Sequence, residues 1–276
     1  MNNKLSLCGL RDKLLTMEQE EGIRIIHVAE CDSRAWGFST DDSDYDLRYV
    51  YVKLPWERKL METADTRRRK FKIDGLPVDA QGFDLSHLLR KTVQSSFVMY
   101  EILHSPIVLA RNQMFYPLFE AAFKQYHSKR DMVNYCRGLA RKNFEFIVPF
   151  DAKHMLHALR LALNAERMHE GDEPILSLPE LLVHSTGFAP MADEIIASRN
   201  DPHFVPPEQV TTYLHRICRT DFKGEEPFVK HDAAWFKDID MVFQYVMRQT
   251  CANFGSMAVD GLSWIDDDPA YYENKD

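Results

Sequence analysis

Residues 31–51 read CDSRAWGFSTDDSDYDLRYVY, and this stretch decides the fold of the chain. It joins two predicted strands, one ending at residues 27–29 and one formed by the apolar, aromatic and β-branched run of residues 47–53. In a strand, residues two apart face the same side, so Asp44 and Asp46 are expected to present two carboxylates together. The connection between the strands is therefore the first candidate for chemistry.

The Asp44/Asp46 pair indicates a metal site. Two like charges in a partly dry site repel each other unless a cation lies between them. Mg²⁺ prefers hard oxygen ligands and typically takes one or two carboxylates together with substrate phosphates. The pair therefore favours phosphoryl transfer from a nucleotide. The alternative is a solvated turn, because residues 40–44 are rich in turn-forming side chains.

The residues on both sides of this pair resemble a family pattern. Nucleotidyltransferases of the DNA polymerase β superfamily, most closely the RNA-ligase-associated polymerase-β-like proteins, carry Gly-Ser-Arg-Ala-Trp-Gly-Phe followed by Ser-Asp-Tyr-Asp-x-Arg. Residues 33–38 (SRAWGF) and 43–48 (SDYDLR) are similar to its two parts. The resemblance implies an Mg²⁺-dependent nucleotidyltransferase, using two ions with Mn²⁺ as a substitute. It would move a nucleoside monophosphate from an NTP to an acceptor hydroxyl, with an RNA or tRNA end as the acceptor.

Asp32 departs from this pattern, because the family has glycine before the serine. In the superfamily that Gly-Ser pair begins a turn around the triphosphate, and the resemblance assigns Ser33 and Arg34 to the phosphates. Glycine lets the main chain approach closely, whereas aspartate adds a negative side chain beside a polyanion, at a cost on the order of a few kcal/mol. The alternative function is therefore a catalytically weakened nucleotide-binding or regulatory module.

A third carboxylate is expected on a neighbouring strand. The Asp-Gly pair at residues 74–75 is a strong hairpin signal between strands over 66–73 and 76–83. Polymerase-β-like sites need a further carboxylate to complete the cage for two metal ions. Asp79 lies inside the second strand and fits by position. Asp84 is the rival, although its simplest role is to cap the helix that follows.

The second half of the chain contributes a cationic helix face. Its apolar residues recur at three- and four-residue spacing over residues 116–127, 129–146 and 152–169. The last segment resembles a family segment reading roughly Lys-x-x-x-Tyr-x-Leu-Arg, with Lys153, His157 and Arg160 on one face. Turned toward the carboxylates, Lys153 and Arg160 would bind the nucleotide, while the role of His157, which replaces tyrosine, stays open. The alternative is a solvated face whose ion pairs contribute little.

The charge, cysteine content and hydrophobicity of the chain indicate its cellular setting and its class of partner. The formal net charge of -8 disfavours a non-specific grip on a polyanion, although residues 67–70 (RRRK) either contact phosphates or protect an edge strand. Five scattered cysteines without a C-x-x-C pair predict reduced thiols in the cytoplasm. No apolar run approaches the length that spans a membrane, so no membrane partner is expected.

These signals together predict an α+β fold. An amphipathic helix over residues 4–21 precedes a small mixed β-sheet nucleotidyltransferase core that extends to residue 110. An all-helical C-terminal domain over residues 111–276 follows and is expected to contribute to nucleotide and acceptor binding.

Overall fold

A computed structural model describes residues 5–53, 66–146, 151–185, 187–201, 203–220, 233–252 and 263–264 of the chain. Its strands are β1 (Ile23–Cys31), β2 (Tyr45–Lys53), β3 (Thr66–Ile73), β4 (Leu76–Asp84), β5 (Ile107–Arg111) and β6 (Ser263–Trp264). Its helices are α1 (Leu7–Glu21), α2 (Leu85–Val93), α3 (Phe97–Leu103), α4 (Tyr116–Tyr126), α5 (Lys129–Glu145), α6 (Ala152–His169), α7 (Leu178–Val183), α8 (Ala189–Ala197), α9 (Glu208–Arg219) and α10 (Ala233–Ala252). The predicted α+β class is confirmed.

The described strands form one mixed sheet in the order β3-β4-β2-β1-β5-β6. Strands β2 and β4 are parallel, whereas the other described pairs are antiparallel. The parallel register sets Asp46 opposite Asp79, and the antiparallel register sets Asp46 opposite Cys31 on its other side. Strand β6 pairs with β5, so the mainly helical second half of the chain also returns one short strand to the sheet.

Local signals explain where the first elements begin and end. The Ser6 hydroxyl accepts a hydrogen bond from the Gly9 amide and caps α1, and Gly22 ends the helix with φ of 61°. The β3–β4 hairpin turns at Asp74 and Gly75, whose φ values of 52° and 85° suit an Asp-Gly turn. These short-range signals position α1 and the hairpin on the sheet.

The helical half packs directly on the turn that follows β1. Helix α6 is largely buried and packs along α5. The Leu178 amide, at the start of α7, donates to the Trp36 carbonyl at 2.8 Å. Gly37, with φ of 78°, lies so close to Pro179 that a Cβ atom there would be 2.8 Å from the proline ring. None of the described helices combines the length and the apolarity needed to cross a bilayer.

Candidate active site

Two of the three predicted metal carboxylates lie side by side on the sheet. Asp46 is on β2 and Asp79 is its register partner on β4, so their side chains leave the same face of the sheet. Asp44 is exposed and lies one residue before β2 begins. Asp84 lies at the far end of β4, opposite Tyr51, and its Oδ1 accepts from the Ser86 amide at 2.9 Å as the cap of α2.

Asp46 is the carboxylate with the most unusual electrostatics. Burial, followed by the charges of Asp32 and Asp79, raises its pKa to about 6, although Lys153 and Arg48 act in the opposite direction. Negative charge is therefore crowded around Asp46. Groups with this kind of shift are concentrated at functional sites.

Asp79 is held by two cations from the neighbouring edge strand. Arg68 Nε donates to Asp79 Oδ1 at 2.9 Å, and Lys70 Nζ lies 3.4 Å from Oδ2. The Arg68 hydrogen bond, the largest effect, lowers the pKa of Asp79 despite partial burial, and Lys70 adds to it. Asp79 is thus ionised but already neutralised by protein groups.

Asp32 has the conformation that explains a glycine in the family pattern. Its φ of 66° is left-handed, which glycine adopts freely and aspartate tolerates better than most residues. Its Oδ1 lies 3.3 Å from Nε2 of His157. Burial would raise the pKa of Asp32, but His157, Lys153 and Arg48 together hold it well below its usual range. The added carboxylate is therefore turned toward the cations of the cleft.

His157 joins this turn to helix α6. Its ring meets Trp36 and Phe38 edge to face, with centroid separations of 5.1 Å to each. Burial lowers the pKa of His157 more than Asp32 raises it, so the imidazole is neutral near neutral pH. The two departures from the family pattern, Asp32 and His157, are thus in contact with each other.

The two predicted nucleotide-binding cations of α6 have different surroundings. Lys153 is half-buried near the start of the helix, where its charge acts on Asp32 and Asp46. Arg160 is 1% exposed; it is paired with Glu101 of α3, and its guanidinium lies 3.6 Å from the centre of the Trp36 ring. This arrangement brings Lys153 to the carboxylates and keeps Arg160 in the interior, so a direct contact between Arg160 and the nucleotide is not supported.

Ser33 and Arg34 form part of the turn after β1. Ser33 is buried, and its carbonyl accepts from the Phe38 amide at 3.0 Å. Arg34 Nη2 donates to the Ser43 carbonyl at 2.6 Å, and its guanidinium lies 4.1 Å from the centre of the Tyr45 ring. These contacts hold the β1–β2 connection in shape, and phosphate binding by Ser33 and Arg34 stays a prediction.

The carboxylate oxygens of the predicted metal ligands, in the positions that the structure gives them, provide only part of a site for a divalent cation. Among the residues that the structure describes, no three His, Cys, Asp or Glu side chains already form a metal cage. Asp46 nevertheless offers a hard oxygen donor beside the negative charges of Asp32 and Asp79, and Asp44 lies two residues before it in the sequence. Asp79 joins them only if it leaves Arg68 and Lys70.

Two arginines of the cleft, Arg199 and Arg48, were not identified from the sequence. Arg199, which follows α8, donates to the Phe38 carbonyl at 2.5 Å, and its charge interacts with Asp32 and Asp46. Arg48 Nη1 lies 3.5 Å from Glu101 Oε2 and its charge acts on Asp46. Arg48 stands in the quoted motif, so strand alternation with Asp46 was an available signal. The position of Arg199 depends on tertiary packing, for which the sequence has no local signal.

The family match of this chain agrees with the resemblance, and two further similar proteins are known. Residues 9–230 match the model of the RNA repair pathway DNA polymerase beta family. The uncharacterized protein YcgL of Bacillus subtilis (strain 168) is 38% identical over 98 residues, which are 35% of this chain and 36% of YcgL. A crystal structure of a nucleotidyltransferase-like protein from Exiguobacterium sibiricum 255-15 is 8% identical, with a TM-score of 0.33 over 87% of this chain and 91% of that one.

Proposed function

The chain belongs to the RNA repair pathway DNA polymerase beta family, and from this membership and its cleft we propose that it is an Mg²⁺-dependent nucleotidyltransferase. It would transfer a nucleoside monophosphate from an NTP to an acceptor hydroxyl, most simply at an RNA or tRNA end. The proposal rests on one observation. Asp46, whose pKa is raised to about 6, is the register partner of Asp79 and interacts electrostatically with Lys153. That arrangement suits the binding of a metal-complexed polyphosphate.

Each site residue that the sequence predicted has a role in this proposal. Asp44, Asp46 and Asp79 would hold two Mg²⁺ ions, or Mn²⁺, which supply charge neutralisation and an activated acceptor hydroxyl when bound. The acceptor hydroxyl releases its proton to water as its oxygen forms a bond to the α-phosphorus, while the bond to the departing pyrophosphate breaks. Lys153 neutralises the phosphates, and the turn containing Ser33, shaped by Arg34, surrounds them. We give Arg160 a positioning role, because it is buried against Trp36 and Glu101.

The direct test is label transfer from α-labelled NTPs to RNA and tRNA pools. We expect incorporation with Mg²⁺ or Mn²⁺ and its loss in Asp46→Asn. Asp42→Asn is the matched control, because Asp42 is an exposed aspartate of the same connection and should leave incorporation unchanged. Equal incorporation by the wild type and Asp46→Asn would contradict the assignment of this cleft.

Asp32 supports a second candidate, a nucleotide-binding module with weakened turnover. Its ionised side chain lies close enough to Asp46 to raise the pKa of that carboxyl, where a triphosphate would also carry negative charge. Asp32→Gly suits the φ of 66° and removes the charge, whereas Asp32→Asn keeps a side chain and removes only the charge. We expect Asp32→Gly to raise NTP affinity about tenfold, the equivalent of about 1.4 kcal/mol, in calorimetric titrations with Mg²⁺.

Comparing the two variants separates charge from bulk. If the charge of Asp32 is what weakens NTP binding, Asp32→Asn should gain nearly as much NTP affinity as Asp32→Gly. Unchanged affinity and unchanged label transfer in Asp32→Gly would rule out the weakened-module candidate.

The proposal also includes a cytoplasmic setting, with reduced thiols, and Cys8, Cys31, Cys136 and Cys218 are free cysteines among the described residues.

A further inference from the structure

Strand β3 concentrates positive charge at the edge of an acidic molecule. Five of the six residues from 67 to 72 are arginine or lysine, in a chain with a formal net charge of -8. Among the described strands, β3 is at the end of the sheet, next to β4. A row of cations protects a sheet edge against pairing with another chain, and this accounts for the charge without any ligand.

Strand alternation divides these cations into two groups with different partners. Arg67 and Arg69 pair with Glu21 of α1 on one face of the sheet. Arg68 and Lys70 turn to the other face and both approach Asp79. Edge protection needs a charge that points into solvent, but it does not require two cations on the carboxylate opposite Asp46. The site-facing pair therefore needs a further explanation.

The Arg68/Lys70 pair is poised to exchange partners. The side chains of Arg68 and Lys70 are 66% and 70% exposed, although Asp79 itself is only 7% exposed. Arg68 donates to the Asp79 carboxylate through both Nε and Nη2, but the exposure of its side chain and of Lys70 leaves both cations within reach of a competing charge in solvent. Two cations on one carboxylate also leave one positive charge in excess at the edge of the cleft. An incoming phosphate finds both donors accessible from solvent, and arginine binds phosphate oxygens in the same forked geometry as a carboxylate.

We propose that Arg68 and Lys70 form the binding site for the backbone phosphates of the RNA acceptor, and that they hold Asp79 until the RNA arrives. This inference rests on the proposed function, because it takes the cleft of Asp46 and Asp79 as the site of transfer. RNA phosphates draw Arg68 and Lys70 away, and Asp79 is then released toward the divalent cation. RNA and metal consequently bind with positive coupling, each strengthening the other by the same factor.

RNA binding by Arg68 and Lys70 is tested without divalent cations, in EDTA. The measurement is fluorescence anisotropy with a short labelled single-stranded RNA over a range of salt concentrations. We expect the slope of log K against log salt to fall by about 0.7 in Arg68→Gln and by a similar amount in Lys70→Gln, the value for one lost phosphate contact on a single strand. Arg69→Gln is the matched control on the same strand, because Arg69 faces Glu21. Equal slopes in Arg68→Gln and Arg69→Gln, or no RNA binding by the wild type, would overturn the proposal.

The exchange of partners is tested by Mn²⁺ affinity, measured by electron paramagnetic resonance with and without saturating RNA. Wild type should bind Mn²⁺ about fivefold or more tightly with RNA present, within the usual range of coupling between two sites. The double variant Arg68→Gln/Lys70→Gln should bind Mn²⁺ more tightly than wild type without RNA and lose the coupling. Coupling that persists in the double variant would contradict the exchange.

One further variant separates this inference from the proposed function. Mn²⁺ binding that survives unchanged in Asp46→Asn would contradict the proposed function, because the cation would then lie elsewhere. The salt dependence of RNA binding is measured in EDTA and therefore involves no metal. It tests phosphate binding by Arg68 and Lys70 whether or not Asp46→Asn changes Mn²⁺ binding. Matched melting temperatures of the variants exclude misfolding as the cause of a lost slope.

Discussion

Asp46 should make the stability of the metal-free protein depend on pH. Its pKa is about 6 in the folded chain and about 3.9 in an unfolded one, so the folded state binds this proton more tightly. The stabilising contribution is complete below about pH 4 and is lost as pH rises through about 6. Above that pH, Asp46→Asn should be more stable than wild type, on the order of 1–2 kcal/mol after allowance for solvent screening.

Urea unfolding at about pH 5 and about pH 8 without divalent cations measures this difference. The advantage of Asp46→Asn should grow with pH, because asparagine cannot ionise. Asp42→Asn is the control, since Asp42 is exposed and its effect on the free energy of unfolding should be the same at both pH values. A constant gap between wild type and Asp46→Asn would show that the crowding of charge around Asp46 is absent.

Residues of the candidate site could be predicted from the sequence where they lie in a local motif. They were harder to predict where their role depends on a contact with a residue far away in the sequence. The quoted stretch supplied Asp46, and the hairpin signal supplied Asp79. The contact between Asp32 and His157 joins residues 125 positions apart, so no local pattern contains it. A signal was nevertheless available, because both residues replace the amino acid that the family pattern has at their positions. Two departures from one pattern are good candidates for residues in contact.

At the scale of elements, helix α6 depends on a buried ion pair with α3. Arg160 of α6 pairs with Glu101 of α3, and both are almost fully buried. Removing one partner of a buried pair leaves an uncompensated charge and costs about 3–5 kcal/mol. Arg160→Met should therefore lower the free energy of unfolding by about 3 kcal/mol, because Arg48, 3.5 Å from Glu101, partly compensates for the loss.

Nucleotide titration of the same variant tests the sequence-based role of Arg160. Under conditions where Arg160→Met is folded, its NTP affinity should equal that of wild type, because the guanidinium lies against Trp36 in the interior. Arg141→Gln is the control for stability, since it breaks an exposed pair with Glu145 that contributes little. A large loss of NTP affinity at unchanged stability would instead support direct binding by Arg160.

Elements with strong local signals were predictable, and non-local pairings were not. The β3–β4 hairpin and helices α5 and α6 lie close to their predicted bounds, because an Asp-Gly turn and helical periodicity are short-range properties. The parallel pairing of β2 with β4 depends on where the chain returns to the sheet, and β5 is only five residues long. Helices α8 and α9 were not predicted, and neither has a side-chain hydrogen bond capping its start.

At the scale of the whole molecule, contacts cross the predicted domain boundary at several points. The predicted boundary between residues 110 and 111 falls inside β5 (Ile107–Arg111). His157 packs between Trp36 and Phe38, and the carbonyls of those two aromatic residues accept hydrogen bonds from Leu178 and Arg199. The turn that begins with Asp32 is therefore packed between the sheet and the helical half.

We expect the two halves to unfold as a single cooperative unit. A chain of 276 residues exceeds the size at which two-state unfolding is the default, so a single calorimetric transition would be informative. Its calorimetric and van't Hoff enthalpies should agree, and a fragment of residues 1–111 should show no cooperative transition by circular dichroism, because the Trp36 and Phe38 rings would lose their cover. Two separate transitions, or a cooperatively folded fragment, would instead support the division into independent domains and a cleft that forms without α6.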